Sequence, residues 1–366
     1  MRSIRRPWTA ALLWLLTLGP FFFLSYGFAN WVTAQRHNVP SIVFGWEHRI
    51  PFLAWTIVPY WSIDFFYALS FFLCRDRREL DSHAKRLLAA QIISTACFLL
   101  FPLRFSFAQP QTSGLLGWMF HALGGFDKPF NQLPSLHLSL TTILWAKYSE
   151  HLDGFGLVLL RGWFVLCGVS TLTTYQHHFI DLLPGIWVGL LCISLFPYDA
   201  SGWGAALPSR RSARIAAVYF AGAILLAAGG WLLFWPASAL FLAAIAYWTG
   251  SPQMLRGTAM ALLLAPYIAV KWIHLRWSTR GQPLAQEIAE DVWLGRYPLR
   301  SERDALQIAS MVSMAVELPA NTTGVVARSV PMLDLVVPTA EQLEAAVVAI
   351  CELKRSRPTL VCCAFG

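Results

Sequence analysis

Long apolar segments alternate with short polar loops along most of the chain. A membrane-spanning helix needs about 20 largely apolar residues. Seven segments are candidates for such helices, and two shorter or less regular apolar stretches follow them. Nine spans would put the C-terminal part outside the membrane, whereas the basic residues after the last stretch favour the inside. We therefore expect eight full spans in an all-α polytopic membrane bundle. The nine segments are Trp8–Val32, Ile50–Cys74, Leu87–Leu103, Leu136–Tyr148, Phe155–Tyr175, Phe179–Phe196, Ile215–Trp235, Ala237–Trp248 and Met254–Trp272.

The pattern changes in the C-terminal part of the chain. The runs Asp334–Val337 and Thr359–Val361 have the apolar character of strands, and Ala340–Leu353 between them has a helical pattern. Strands that alternate with helices predict an α/β domain with a parallel sheet. We therefore expect a polytopic membrane domain at residues 1–278 and a small α/β domain at residues 279–366.

The distribution of charge agrees with this division. Residues 1–280 carry 21 Lys/Arg and 10 Asp/Glu, whereas residues 281–366 carry 7 Lys/Arg and 10 Asp/Glu. Only 13% of all residues are charged, about half the usual fraction of soluble domains, and the mean hydropathy is +0.51. The composition excludes an ordinary soluble enzyme. Because the basic excess lies beside apolar spans, it orients a membrane protein and does not indicate nucleic-acid binding.

Basic residues cluster at the N-terminus and in the loops Arg75–Arg86 and Ser209–Arg214. Loops rich in Lys and Arg stay on the cytoplasmic side of a membrane, so the loops at 33–49 and 104–135 are predicted to face outward. Basic residues after the last apolar stretch favour a cytoplasmic C-terminal domain. We expect an integral, multi-pass protein of a bacterial inner membrane.

Titratable residues near the outer ends of three predicted spans are the candidates for chemistry, because charge within a membrane is costly. His177 and Asp181 are four residues apart and would share one helix face, where the carboxylate can hold the imidazole in one tautomer. His137, from another span, could supply an acid. Nucleophile, orienting carboxylate and acid together suit phosphoryl transfer. A metal site is the alternative, disfavoured by the lack of further carboxylates nearby, and His178 is expected to be structural.

Two motifs carry a resemblance to a known family. Pro134–His137 (PSLH) resembles the second motif of the type 2 phosphatidic acid phosphatase superfamily, and Ser170–Gly185 (STLTTYQHHFIDLLPG) resembles its third motif. The resemblance covers about residues 85–200, with both motifs in the family's order and separation.

The resemblance implies a role for each matching residue. His177 would be the nucleophile, Asp181 its orienting partner and His137 the general acid. Ser135 and Ser170 would bind substrate. The family's chemistry implies no metal and no organic cofactor.

The sequence departs from the family pattern where phosphate should be bound. Thr171 stands where the third motif usually has an Arg, and the first motif is reduced to Gln109–Pro110. Phosphate oxygens still require positive charge, for which Arg104 is the first candidate and Lys128 the second. Arg104 as an interfacial anchor is the alternative. The altered motifs are similar to the inositol phosphorylceramide synthase branch, which transfers a phospho-headgroup between lipids.

The C-terminal run Pro358–Gly366 (PTLVCCAFG) resembles the start of the signature loop of dual-specificity protein phosphatases. The resemblance, over about residues 286–366, implies Cys363 as nucleophile and places Asp334 at the usual position of the general acid. The chain stops before the residue that would be the signature Arg, so we expect this domain to be truncated in its loop. Cys362 and Cys363 as two buried thiols at a strand end are the alternative.

These features predict a membrane lipid phosphatase that hydrolyses a lipid phosphate or phosphodiester through a phospho-histidine intermediate. Two alternatives stay open: a phospho-headgroup transferase of the inositol phosphorylceramide synthase type, and a non-enzymatic transporter or scaffold. Asp64, inside the second predicted span, would suit the last of these. The expected partners are a lipid phosphate and the bilayer, and no nucleic acid.

Overall fold

A computed structural model describes residues 6–198, 208–229, 233–256, 258–305, 308–318, 324–354 and 358–364. The described chain is mostly helical, with a small sheet near the C-terminus. It divides into two compact units, Met1–Asp199 and Ala200–Gly366. The change in composition near residue 278 therefore does not coincide with the division between the units, because the helices of 208–278 group with the sheet.

The described part of the first unit is helical. Its α-helices are α1 (Trp8–Ala34), α2 (Ile57–Ser70), α3 (Arg77–Leu100), α4 (Gly114–Phe126), α5 (Leu136–Ser149), α6 (Gly154–Thr173) and α7 (Phe179–Leu195). Its largest buried apolar cluster joins α1, α3 and α5 and includes Leu18, Leu87 and Ile143.

Four helical segments of the described chain are long and apolar enough to cross a membrane: Trp8–Ala34, Ala54–Leu73, Gly154–Thr173 and Arg210–Ala228. All four overlap predicted spans. The apolar helix Phe179–Leu195 is shorter. Membrane association follows from the length and composition of these helices, whereas the full number of spans stays a prediction.

Two helices of the first unit differ from the predicted spans. Helix α3 begins at Arg77, well before the apolar segment, because Asp76 caps it: the Asp76 carboxylate accepts a hydrogen bond from the Glu79 N–H at 2.9 Å. The basic loop is thus the first part of a helix. Helix α5 has 14 residues, and at 1.5 Å per residue it is about 21 Å long, less than the hydrocarbon thickness of about 30 Å.

Helices α5 and α7 approach each other closely at two glycines. A Cβ on Gly185 would lie 2.5 Å from the Ser135 carbonyl oxygen, and one on Gly189 would lie 2.6 Å from Thr142 Cβ. The Ser139 hydroxyl donates a hydrogen bond to the Gly185 carbonyl at 2.9 Å across this contact. The close approach fixes the N-terminus of α5 against the first turns of α7.

The second unit contains helices followed by a sheet. Its described elements are α8 (Arg210–Ala228), α9 (Phe234–Thr249), α10 (Thr258–Leu263), α11 (Ala265–Ser278), β1 (Ala285–Ala289), β2 (Val292–Arg296), α12 (Arg300–Ala305), β3 (Ser310–Ala315), β4 (Val326–Met332), α13 (Ala340–Lys354) and β5 (Thr359–Cys363). Leu275 of α11 is buried in one cluster with Tyr297 and Leu360. Helix α11, from the apolar region, therefore packs against the sheet and shares its core.

The sheet has the strand order β1-β2-β5-β3-β4. Strand β1 is antiparallel to β2, and the β2–β5, β5–β3 and β3–β4 pairs are parallel. The predicted α/β domain is confirmed, with a mixed sheet where a parallel one was expected. The helix at Ala340–Leu353 and the strand at Thr359–Val361 are also confirmed. The predicted strand at Asp334–Val337 is wrong. This segment forms a turn after β4, with Leu335 at φ 60° and Val337 80% exposed.

Candidate functional site

His137 lies in the first turn of α5, where the Pro-Ser-Leu-His motif forms the start of the helix. Ser135 is the N-cap, and its hydroxyl oxygen accepts a hydrogen bond from the Leu138 N–H at 3.3 Å. The Ser135 N–H donates to the Asp181 carbonyl at 3.0 Å. Ser135 therefore has a structural function, since a serine cap satisfies an otherwise unpaired helical N–H and joins the two motifs.

His177 lies just before α7 and not on it. The helix begins at Phe179 with His178 as N-cap, and the His178 N–H donates to Asp181 Oδ2 at 3.0 Å. The expected shared helix face is therefore replaced by a capping arrangement. His177 is held by its own N–H, which donates to the Thr171 carbonyl at 3.0 Å.

The capping arrangement still pairs the two predicted residues. His177 Nδ1 lies 3.4 Å from Asp181 Oδ2, and the exposed fractions of the two side chains are 4% and 1%. The two atoms are at ion-pair distance but are not aligned for a hydrogen bond. His177 Nδ1 is therefore buried with no hydrogen-bond partner among the described residues, and Asp181 Oδ1 is also buried without one. A carboxylate at this position can orient the ring and leave Nε2 for chemistry.

His137 faces the same region. Its ring stacks on the Tyr60 ring, with centroids 4.3 Å apart and planes inclined by 13°. It forms a hydrogen bond with the backbone of Cys167, while its Nε2 is buried with no hydrogen-bond partner among the described residues. His137 and His177 interact electrostatically. The structure thus brings His137, His177 and Asp181 together.

Among the described residues, the other predicted substrate-binding side chains form no hydrogen bond or ion pair with this group. Ser170 is fully buried and its hydroxyl donates to the Cys167 carbonyl at 2.6 Å. Lys128 Nζ donates to the Gly124 carbonyl at 2.8 Å, at the end of α4. Arg104 is exposed, and its guanidinium has no hydrogen bond or ion pair within the described chain. Among described residues, no Lys or Arg side chain pairs with either histidine or with Asp181.

His178 has the structural role expected of it. Its Nε2 accepts a hydrogen bond from the Ser106 N–H at 3.2 Å, so Nδ1 carries the proton and donates to Glu47 Oε2 at 3.0 Å. Glu47 also accepts from the N–H groups of Phe179 and Phe44, at 3.0 and 2.8 Å. Glu47 is 1% exposed. The network fixes the loop that contains Glu47 to the start of α7.

A further carboxylate, Asp127, was not among the sequence candidates. It follows α4 and accepts hydrogen bonds from the hydroxyls of Tyr26, at 2.6 Å, and Tyr60, at 3.4 Å. It also interacts electrostatically with His177. Burial raises the pKa of the Asp127 carboxyl above its ordinary value, and the hydrogen bond from Tyr26 opposes that rise. Glu47 is distant from both motifs in sequence, and Asp127 lies outside them, seven residues before Pro134, so the spacing within the motifs gave no signal for either.

A charged cluster lies at the other end of α5. Lys147 is fully buried, and its Nζ lies 2.5 Å from Glu79 Oε1. Glu79, Glu150 and His151 bring possible metal-ligand atoms within 4.8 Å of one another. Because the Lys147 ammonium neutralises Glu79 directly, the arrangement is that of an ion-pair network around a buried lysine.

In the second unit, the predicted Cys363 and Asp334 line one cavity of about 190 Å³ at the ends of β3, β4 and β5. The Lys271 ammonium lies 3.1 Å from Asp334 Oδ2 and 3.0 Å from Glu317 Oε2. The Tyr247 hydroxyl donates to Glu317 Oε1 at 2.6 Å. Asp334 is therefore held in an ion pair. The last part of the predicted signature loop, residues 365–366, lies outside the described residues.

Cys362 is the buried member of the cysteine pair. It is 0% exposed, and burial raises the pKa of its thiol to about 12. A thiol in that state is a poor nucleophile at neutral pH, since the thiolate is the reactive form. Cys363 is partly exposed and is the cysteine that lines the cavity.

Comparison with protein-family models, with curated proteins and with solved structures found no match for this chain.

Proposed function

We propose that this protein is a multi-pass membrane enzyme of phosphoryl-transfer type that hydrolyses a lipid phosphate or phosphodiester through a phospho-histidine intermediate. One observation carries the proposal: His177 pairs with Asp181 in a buried position and interacts with His137, whose Nε2 has no partner among the described residues. A nucleophile with an orienting carboxylate and a separate acid is the set that a two-step transfer requires.

In the proposed first step, His177 Nε2 attacks phosphorus and the N–P bond forms as the bond to the lipid oxygen breaks. His137, in its protonated form, gives its proton to the leaving oxygen. Asp181 faces the Nδ1 side of the ring, where its negative charge stabilises the phospho-imidazolium. In the second step, water attacks phosphorus, its proton passes to His137, and the N–P bond breaks. Phosphate is released from a lipid phosphate and a phosphomonoester from a phosphodiester, and both histidines are restored.

The buried position of the histidines supports headgroup transfer as a second candidate. The His177 and Asp181 side chains are 4% and 1% exposed, so access of water to the phospho-histidine is restricted. An alcohol of a second lipid, entering from the bilayer, would then replace water in the second step. The two candidates share all residues and differ only in the acceptor.

We place the His177 site on the outer face of a bacterial inner membrane and the C-terminal domain in the cytoplasm, because the basic loops predict this orientation. For the C-terminal domain we propose a phosphatase-like site with Cys363 as nucleophile and Asp334 as acid, a role in which Asp334 leaves its ion pair with Lys271 to take up a proton. Its support is the cavity of about 190 Å³ that both residues line.

The proposal is tested with the full chain purified in detergent, by assaying phosphate release from short-chain phosphatidic acid and headgroup release from phosphodiester lipids. We expect His177→Ala to lower kcat by about a thousandfold or more and His137→Ala by about a hundredfold or more. His121→Ala is the matched control, because His121 is exposed on α4.

Activity of the His177→Ala variant equal to that of the wild type would overturn the proposed function. Rapid quenching of the wild type with radiolabelled substrate at alkaline pH should trap a label that is stable to base and labile to acid, and the His177→Ala variant should carry none. Addition of a lipid alcohol distinguishes the two acceptors: a new phospholipid indicates transfer, and free phosphate alone indicates hydrolysis.

A further inference from the structure

The Asp127 carboxylate joins three parts of the first unit beside the histidine pair. It follows the last residue of α4, and it accepts hydrogen bonds from Tyr26 of α1 at 2.6 Å and from Tyr60 of α2 at 3.4 Å. The Tyr26 carbonyl in turn accepts from the Asn131 amide at 2.9 Å. A short bond from a phenol to a carboxylate is among the stronger hydrogen bonds of proteins, so the position of Asp127 is well determined.

Tyr60 connects this carboxylate to the predicted acid. The Tyr60 ring lies nearly parallel to the His137 ring, with centroids 4.3 Å apart. The hydrogen bond to the Cys167 backbone holds one edge of the imidazole, and Tyr60 holds its face. Because the Tyr60 hydroxyl is bonded to Asp127, the carboxylate restricts the tilt of the Tyr60 ring, against which the His137 ring stacks.

Asp127 also acts on the predicted nucleophile. It interacts electrostatically with His177, in addition to the Asp181 carboxylate at 3.4 Å. Attack on phosphorus puts a positive charge on the His177 ring, and a fixed negative charge nearby stabilises the state in which that charge develops. One carboxylate thus orients the acid and favours the charge on the nucleophile.

We propose that Asp127 is a positioning residue for the His137–His177 pair, acting on His137 through Tyr60 and on His177 through its charge. This inference rests on the proposed phosphoryl transfer. It adds a second carboxylate beside Asp181, on a loop outside both sequence motifs, whose side chain need not touch the substrate.

The test compares Asp127→Asn and Tyr60→Phe in the full chain, with phosphatidic acid and phosphodiester lipids as substrates. Asp127→Asn removes the charge and keeps an acceptor for Tyr26, whereas Tyr60→Phe removes the hydroxyl and keeps the ring. We expect Asp127→Asn to lower kcat by about tenfold to a hundredfold with KM within about twofold of the wild type, since misplaced catalytic groups lose rate and not affinity. We expect a loss of a few fold for Tyr60→Phe.

Asp153→Asn is the matched control, because Asp153 is exposed at the start of α6 and its side chain makes no capping hydrogen bond. A kcat for Asp127→Asn within twofold of the wild type, in a sample where His177→Ala is inactive, would overturn the inference and leave the proposed function intact. If Asp127→Asn does not fold, Tyr60→Phe decides: reduced kcat at unchanged KM supports the inference, and wild-type kcat overturns it. A wild type as inactive as His177→Ala on every lipid overturns both proposals.

Discussion

The Ser135 N–H donates a hydrogen bond to the Asp181 carbonyl at 3.0 Å, and this bond joins the two motifs at the backbone. Ser135 caps α5, which carries His137 in its first turn, while Asp181 lies in the first turn of α7 and pairs with His177. The relative position of the two histidines therefore depends on the contact between the N-terminal ends of two helices. Residues that control this contact should control activity.

Gly185→Ala should impair both stability and activity. A Cβ at Gly185 would lie 2.5 Å from the Ser135 carbonyl oxygen and 2.9 Å from Leu138 Cβ, so α7 must move away from α5. Overpacking of this kind costs about 1–3 kcal/mol of unfolding free energy, and a shift of the helices separates His177 from His137. We expect a lower Tm in detergent and a loss of kcat of about tenfold or more.

The control for this variant is Gly162→Ala on α6, where a Cβ would meet nothing within 4 Å. Alanine in an open helical position should leave Tm unchanged or raise it slightly, with wild-type kcat. A Gly185→Ala variant that matches this control would contradict the close approach of α5 and α7.

The sequence predicts those parts of this arrangement that depend on residues close together in the chain, and not those that depend on tertiary packing. The spacing of His177 and Asp181 is local, so their pairing was predictable although the helix begins only at Phe179. The approach of His137 to that pair depends on tertiary packing of α5 against α7, and it was expected only from the position of both motifs near the outer ends of predicted spans and from the resemblance to a family. Asp127 reaches the site from a loop through the hydroxyls of Tyr26 and Tyr60, which no local pattern encodes.

The C-terminal domain shows the same limit. Apolar composition correctly predicted the strand at Thr359–Val361, which is buried between two neighbours in the sheet. The same criterion failed for Asp334–Val337, because edge strand β4 ends at Met332 and Leu335 takes a left-handed conformation at φ 60°. A positive φ breaks the extended chain, and it turns Asp334 toward the cavity lined by Cys363.

Arg104→Ala should weaken substrate binding if this guanidinium serves as the phosphate clamp. Arg104 is exposed and unpaired within the described chain, so it is available to an anionic headgroup. We expect KM to rise about tenfold with kcat nearly unchanged, the pattern of an interaction made equally in the ground and transition states. Lys128→Ala should have a smaller effect, because the Lys128 ammonium is bonded to the Gly124 carbonyl.

The kinetic constants of both variants are measured on the same lipid in mixed micelles at low and high salt. If Arg104→Ala leaves KM unchanged at every salt concentration, Arg104 is an interfacial anchor and does not bind the phosphate of the substrate.

Glu79→Gln should destabilise the first unit strongly. The Lys147 ammonium is 0% exposed and lies 2.5 Å from Glu79 Oε1, so loss of the carboxylate leaves a buried charge without its counter-charge. Breaking a buried ion pair from one side costs about 3–5 kcal/mol. The double variant Glu79→Gln/Lys147→Met removes both charges and should recover most of the lost stability. Thermal unfolding followed by intrinsic fluorescence measures both, since the chain has 17 Trp.

Arg77→Ala is the matched control for this pair. Arg77 is 62% exposed in its ion pair with Asp81, and exposed pairs contribute about 0–1 kcal/mol. Equal Tm values for Glu79→Gln and Arg77→Ala would show that the Lys147 charge is not buried.

Alkylation should distinguish the cysteines of the C-terminal domain by their surroundings. Cys351 is exposed on α13, Cys363 lines a cavity, and Cys362 is fully buried with its pKa raised to about 12. Because the thiolate is the reactive form, iodoacetamide at pH 8 should modify Cys351 first, Cys363 more slowly, and Cys362 only after unfolding. Tandem mass spectrometry of time points assigns each site, and the single variants Cys362→Ser and Cys363→Ser separate the adjacent pair. The cysteine that lines the cavity must be the one that a small reagent reaches. If Cys362 is modified before Cys363 in the folded protein, Cys362 lines the cavity and is the candidate nucleophile, and Cys363 is the buried thiol.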